Sequence, residues 1–98
     1  MCIRDRIKDA VAASDIVVFS KSWCPFCGKT KALFDQLQLP YSVIELDEVE
    51  NGAELQDTLT KLSGQRTVPN VFIKGTHLGG NDDTQRAAAS GKLQEMLK

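Results

Sequence analysis

Two cysteines, Cys24 and Cys27, follow the apolar run of residues 16–19 within a few positions. The apolar run is typical of a buried strand, and Pro25 suits the first position of a helix, so the sequence predicts a strand-to-helix junction here. The N-terminus of a helix carries unpaired N–H groups and a partial positive charge, both of which stabilise a thiolate. The pattern therefore predicts a thiol–disulfide exchange centre.

The two thiols are expected to have different roles. Cys24 stands at the start of the helix, and Lys21 adds a positive charge three residues earlier. Cysteines in such settings have pKa values lowered to roughly 3.5–7.5 from about 8.5, which predicts that Cys24 is the nucleophile. Cys27 lies one turn further along the same helix face and is more shielded, so it is the expected resolving thiol.

Two other interpretations of the cysteine pair are weaker. Zinc needs four ligands, and the remaining candidates, Cys2 and His77, belong to no second paired-ligand motif. A structural disulfide across so short a loop would remove little entropy from the unfolded chain. We therefore expect no metal. His77 is expected on the surface of a hairpin, and Trp23 is expected to pack over the sheet edge beside the thiols.

Composition places limits on the class of protein. The chain has 98 residues, 42% hydrophobic and 26% charged, with a net charge of −1, which is typical of one soluble domain. No apolar run approaches the roughly 20 residues of a membrane span, and no basic stripe suggests nucleic-acid binding. We expect a cytoplasmic protein with neither membrane nor nucleic acid as a partner, although a lost targeting segment would change the compartment.

Strands and helices alternate along the chain, which predicts an α/β fold with a mixed sheet covered by helices on both faces. Residues 1–6 are interpreted as a non-native or disordered terminus, Cys2 as an exposed bystander, and residues 7–98 as the domain. The expected elements are a helix through Ile7 and Val11, strands at 16–20 and 41–46, helices at 25–39 and around Leu55, Leu59 and Leu62 up to Gly64, a hairpin of 71–73 and 76–78, and a final helical segment from 81 broken at Gly91.

Three motifs in this order resemble the glutaredoxins, a branch of the thioredoxin-like fold with a four-stranded mixed sheet. They are residues 21–27, Lys-Ser-Trp-Cys-Pro-Phe-Cys, residues 67–69, Thr-Val-Pro, and residues 79–83, Gly-Gly-Asn-Asp-Asp. The resemblance covers residues 8–98. Phe26 stands where many dithiol members have tyrosine, and Asn81 where many have a further cysteine.

The resemblance implies a glutathione site. Lys21 and Gln56 would hold the glycyl carboxylate, and the main chain of Val68, beside a cis Pro69, would pair with the cysteine of glutathione. The N–H groups of the helix that Asn81 opens would receive the γ-glutamyl carboxylate. The implied glutathione-binding residues are Lys21, Phe26, Gln56, Thr67, Val68, Pro69, Gly80, Asn81 and Asp82.

The resemblance also implies an activity. A monomer would reduce protein–glutathione mixed disulfides and protein disulfides, with glutathione as co-substrate and glutathione reductase acting through the glutathione pool. One alternative is a glutathione-ligated [2Fe–2S] carrier, which Pro25 disfavours because cluster-binding members usually have glycine or serine there. The other is a thioredoxin-type reductase, which would have Gly-Pro between the cysteines and no use for residues 79–83.

Overall fold

Nine helices and strands make up the part of the chain that the computed structural model describes, residues 3–98. The helices are α1 (Ile3–Ala13), α2 (Pro25–Gln36), α3 (Gly52–Ser63), α4 (Asn81–Ser90) and α5 (Lys92–Met96). The strands are β1 (Ile16–Ser20), β2 (Ser42–Glu45), β3 (Asn70–Ile73) and β4 (Thr76–Gly79).

The four strands form one mixed sheet in the order β2-β1-β3-β4. Strand β1 pairs parallel with β2 and antiparallel with β3, and β3 pairs antiparallel with β4. All five residues of β1 are buried, because side chains that alternate between the two faces of a sheet enter a separate apolar cluster on each face. Val17 and Phe19 belong to one cluster, and Ile16 and Val18 belong to the other.

Helices cover both faces, as the sequence predicts. The first cluster contains Ile7 of α1 and Leu59 of α3, and the second contains Phe34 of α2 and Ala87 of α4. The predicted α/β architecture, a four-stranded mixed sheet with helices on both faces, is therefore confirmed. No helix within residues 3–98 is long and apolar enough to cross a membrane.

Helix α2 ends three residues earlier than expected. Gln38 has a left-handed φ of 58°, and the Leu39 N–H donates to the Phe34 carbonyl at 3.0 Å. This is a left-handed helix end, and it comes early because a residue before proline, here Leu39 before Pro40, is sterically disfavoured in helical geometry.

Helix α1 begins at Ile3, four residues before the predicted start of the domain at residue 7. Residues 3–6 form its first turn, and Ile3 packs against the first apolar cluster, so these four residues take part in the fold. Cys2 lies outside the described residues. The non-native origin of residues 1–6 stays a prediction.

Candidate active site

The N-terminus of α2 carries Cys24 at its N-cap, in extended conformation, and Pro25 at the first helical position. The Cys24 N–H donates to the Lys21 carbonyl at 3.0 Å, and the Cys24 carbonyl accepts from the Gly28 N–H at 3.2 Å. Cys24 is a free, half-buried thiol. The strand-to-helix junction is thus confirmed, and it leaves the Cys24 thiol open to solvent on one side.

Cys27 is fully buried on the first turn of α2 and is also a free thiol. Burial raises the pKa of the Cys27 thiol above its ordinary value, because a thiolate loses hydration in the interior. A bond from the Lys21 main chain opposes that rise without cancelling it. The two thiols therefore differ in their access to solvent, as their predicted roles require.

A polar contact fixes the loop before Cys24. The Ser22 N–H donates to one carboxylate oxygen of Asp47 at 3.0 Å, and the Ser22 hydroxyl donates to the other. These two bonds lower the pKa of Asp47, the hydroxyl contributing most. Trp23 in this loop is 69% exposed, with the Lys21 Nζ atom 5.7 Å from its ring centroid. The expectation that Trp23 packs on the sheet edge is wrong, since nothing covers most of its ring.

A groove of about 420 Å³ runs beside the thiols. Its walls come from the start of α2, the loop between α3 and β3, and the start of α4, and the lining residues are Phe26, Gln65, Thr67, Val68, Pro69, Gly80, Asn81, Asp82 and Asp83. The Cys24 thiol donates to the Val68 carbonyl across 3.8 Å, which places the sulfur at the groove. The peptide bond between Val68 and Pro69 is cis, as expected.

Seven of the residues assigned to glutathione thus line one groove, and Lys21 and Gln56 do not. The Gln56 Nε2 atom instead donates to the Arg66 carbonyl at 2.9 Å. Direct contact of these two side chains with glutathione stays a prediction. Sequence reasoning missed Gln65 as a lining residue. The signal available was its place two residues before the Thr-Val-Pro motif.

The N-terminus of α4 forms the far end of the groove. Gly80 is its N-cap, and the Gly80 N–H donates to the Asp83 carboxylate at 3.4 Å. The Asn81 Oδ1 atom accepts from the Thr30 hydroxyl of α2 at 3.0 Å and from Gln85 Nε2 at 3.2 Å. The Asn81 side chain therefore connects α4 to the helix that carries the thiols. Unpaired N–H groups in the first turn of α4 are suited to an anion.

His77 is half-buried, which corrects its predicted place on the hairpin surface. Its ring centroid lies 5.3 Å from that of Phe72, and its Nε2 atom is buried without a hydrogen-bond partner. Burial lowers the pKa of His77, an effect that the carboxylate of Asp83 partly opposes. Within residues 3–98, no group of three His, Cys, Asp or Glu side chains is placed to hold a metal ion.

Comparison with known proteins agrees with this geometry. The family model described as Glutaredoxin matches residues 16–78, a segment that includes both thiols and the groove loop before β3. The chain belongs to the glutaredoxin family. This glutaredoxin is a glutathione-linked thiol–disulfide oxidoreductase, as are the family members that it matches.

Relatives and solved structures match nearly the whole of this glutaredoxin. It is 53% identical to Glutaredoxin-C8 of Oryza sativa subsp. japonica over 94 residues, covering 93% of this chain and 68% of the relative. A crystal structure of a buckwheat glutaredoxin–glutathione complex is 44% identical with a TM-score of 0.94, covering 97% of this chain and 86% of that one. A crystal structure of wheat glutaredoxin is 49% identical with a TM-score of 0.93, covering 97% and 90%.

Proposed function

We propose that this protein binds the glutathione half of protein–glutathione mixed disulfides and reduces them through Cys24. The observation that carries the proposal is the contact between the Cys24 thiol and the Val68 carbonyl, 3.8 Å apart, at the wall of the groove. A ligand aligned along Val68 would bring its own sulfur next to the nucleophile. The protein would then recognise the glutathione half of the substrate, and the rest of the substrate would lie outside the groove.

The groups along the groove suit the separate parts of glutathione. An extended peptide can pair with the Val68 main chain as an added strand does. The N–H groups at the start of α4 suit the γ-glutamyl carboxylate, and the exposed Asp82 carboxylate suits its ammonium group. Phe26, 53% exposed with the Lys29 Nζ atom 5.2 Å from its ring centroid, forms the apolar wall nearest the thiols. The glutathione complex of the buckwheat relative supports the same class of ligand.

The reaction consists of two thiol–disulfide exchanges. The Cys24 thiolate attacks the glutathione sulfur, a Cys24–glutathione disulfide forms, and the substrate protein leaves as a thiolate that takes up a proton. The thiolate of a second glutathione then attacks the glutathione sulfur of that disulfide, releasing oxidised glutathione and restoring the Cys24 thiolate. One free glutathione supplies the electrons in each turnover, and the other half of the oxidised glutathione comes from the substrate. The glutathione pool has a potential close to that of glutaredoxins.

Cys27 offers a second route, which would serve protein disulfides. Its thiolate would attack the Cys24 sulfur and expel glutathione or a substrate thiol, leaving a Cys24–Cys27 disulfide for glutathione to reduce. Because Cys27 is fully buried with a raised pKa, its thiolate is scarce at neutral pH. We infer that the route through Cys24 alone carries most of the turnover with glutathionylated substrates.

The test is the steady-state reduction of a glutathionylated peptide by glutathione, coupled to glutathione reductase. Cys24→Ser should abolish activity, whereas Cys27→Ser should keep at least the wild-type rate. Loss of activity in Cys27→Ser would mean that both thiols are obligatory and would favour a general disulfide reductase. A wild-type protein that reduces an unrelated disulfide but not the glutathionylated peptide would refute the assignment to glutathione.

A further inference from the structure

Four consecutive carbonyl groups, those of residues 66–69, are each held by a side chain. The Gln65 Nε2 atom donates to the Thr67 carbonyl at 3.0 Å and to the Pro69 carbonyl at 2.9 Å. The Arg66 carbonyl accepts from Gln56, and only the Val68 carbonyl faces the Cys24 thiol. A side-chain amide has two N–H donors, so Gln65 uses both of them on the residues that flank Val68.

Main-chain contacts give this loop little support. Outside the helices and strands, no main-chain to main-chain hydrogen bond of the described chain involves residues 65–69. The carbonyl and N–H groups of such a loop need other partners, and those partners hold the loop in place. The direction of the Val68 main chain must therefore depend on the side chains that bind the neighbouring carbonyls.

Gln65 is itself anchored to rigid parts of the fold. Its N–H donates to the Ser63 hydroxyl oxygen at 3.2 Å, and the Ser63 hydroxyl donates to the Leu59 carbonyl in α3 at 2.9 Å. The side chain of Asn70, fully buried at the start of β3, donates to the same hydroxyl oxygen at 3.1 Å. Gln65 is thus linked through Ser63 to both α3 and β3, the two elements that the loop connects.

The other side of Gln65 borders the groove. It is one of the lining residues, and its Nε2 atom lies 3.7 Å from the place of a β-carbon on Gly80. The Pro69 carbonyl lies 3.5 Å from the same place, so Gln65 and Pro69 meet the N-cap of α4 together. The Gln65 side chain therefore lies between the loop that carries Val68 and the start of α4.

We propose that Gln65 is a positioning residue that orients the Val68 main chain for pairing with the glutathione half of the substrate. This inference rests on the proposed function. Within residues 3–98, the Gln65 side chain donates to the Thr67 and Pro69 carbonyls and forms no hydrogen bond with either thiol. Its loss should weaken the alignment of the substrate, and the intrinsic reactivity of Cys24, which depends on the end of α2, should stay the same.

The experiment compares Gln65→Met with the wild type and with Gln94→Met. Methionine has nearly the length of glutamine but no donors, and Gln94 is exposed on α5 with no side-chain hydrogen bond within residues 3–98. With the glutathionylated peptide, KM should rise about tenfold in Gln65→Met, a factor equivalent to about 1.4 kcal/mol, and stay unchanged in Gln94→Met.

A second readout separates positioning from general damage. In a Cys27→Ser background, reduced protein is mixed with bis(2-hydroxyethyl) disulfide, a small neutral disulfide, and the Cys24 adduct is followed by mass spectrometry. The Cys24 thiolate forms the adduct and expels one 2-mercaptoethanol thiolate, so no glutathione is involved. The rate should stay within twofold of that of the Cys27→Ser protein when Gln65→Met is added.

An unchanged KM in Gln65→Met, or parallel losses in both assays, would overturn the inference. If far-UV circular dichroism shows that Gln65→Met does not fold, Gln65→Asn decides, because its shorter amide reaches one carbonyl at most and should give an intermediate KM. Wild-type KM in a folded Gln65→Asn would then overturn the inference. A wild-type protein inactive on the peptide would instead refute the proposed function, before any substitution is made.

Discussion

The hydrogen bond between Thr30 and Asn81 connects the thiol helix to the far end of the groove, and its energy can be measured. Thr30 is fully buried on α2, and its hydroxyl donates to the Asn81 Oδ1 atom at 3.0 Å. The change to test is Thr30→Val, which keeps the shape of the side chain and removes the donor. The Asn81 oxygen keeps Gln85 as a second donor at 3.2 Å, so it is not left unpaired.

The expected magnitude follows from these partners. Loss of one net hydrogen bond costs about 1 kcal/mol, but a buried methyl group in place of the hydroxyl offsets part of that cost. A double-mutant cycle of Thr30→Val with Asn81→Ala removes this offset. The effect of Thr30→Val is measured once with Asn81 present and once in the Asn81→Ala protein, and the new methyl group contributes equally to both measurements. We expect a coupling energy of about 1 kcal/mol, equivalent to about 4–8 °C in Tm for a domain of this size.

The assay is urea unfolding of the four proteins, followed by far-UV circular dichroism. The control cycle pairs Asn81→Ala with Thr60→Val, since the Thr60 hydroxyl donates to the Gln56 carbonyl within its own helix at 2.7 Å. That cycle should give no coupling. A coupling energy below about 0.3 kcal/mol for Thr30 and Asn81, the level at which independent sites add, would show that the bond does not join the helices energetically.

Three further outcomes are expected. Gly52→Ala should destabilise the fold by about 3 kcal/mol or more, because the new β-carbon would overlap the Leu46 carbonyl. Gly28→Ala should stabilise the fold by about 0.5–1 kcal/mol, because Gly28 is exposed in α2 and no atom lies near the new carbon. Urea midpoints measure both effects. Burial lowers the pKa of His77, so its imidazole takes up a proton at a higher pH in the unfolded chain than in the folded protein. Stability should therefore fall as pH drops below about 6.5. His77→Phe should remove that part of the pH dependence in urea midpoints at pH 7.5 and 5.5, and an unchanged difference would contradict it. Iodoacetamide should label Cys27 in Cys24→Ser at least tenfold more slowly than Cys24 in Cys27→Ser, and equal rates would mean that the burial of Cys27 does not limit its reactivity.

The parts of the fold that were predictable are those with a local cause. The bounds of β1 follow from an apolar run, and the place of Cys24 follows from Pro25 at the next position. The hairpin turn follows from Lys74-Gly75, two residues with positive φ, as a two-residue turn of type I′ requires. In each case the types of neighbouring residues favour the backbone geometry that the structure shows.

The parts that were missed depend on side-chain contacts that form only when the chain is folded. The hydrogen bonds from Ser22 to Asp47, 25 positions away, require that β1 and β2 are paired. His77 is half-buried because the ring of Phe72 lies against it, a contact that strand periodicity does not specify. Gln65 looks like an ordinary loop residue until the chain turns and brings two carbonyls to its amide.

The exposure of Trp23 has a practical consequence for anyone who studies this protein by fluorescence. It is the only tryptophan of the chain, and 69% of it is open to solvent on the loop that precedes Cys24. Its emission should therefore respond to oxidation of Cys24, the next residue, but change little in wavelength when the apolar clusters unfold. Intrinsic fluorescence would serve as a redox probe, and folding would have to be followed by other means.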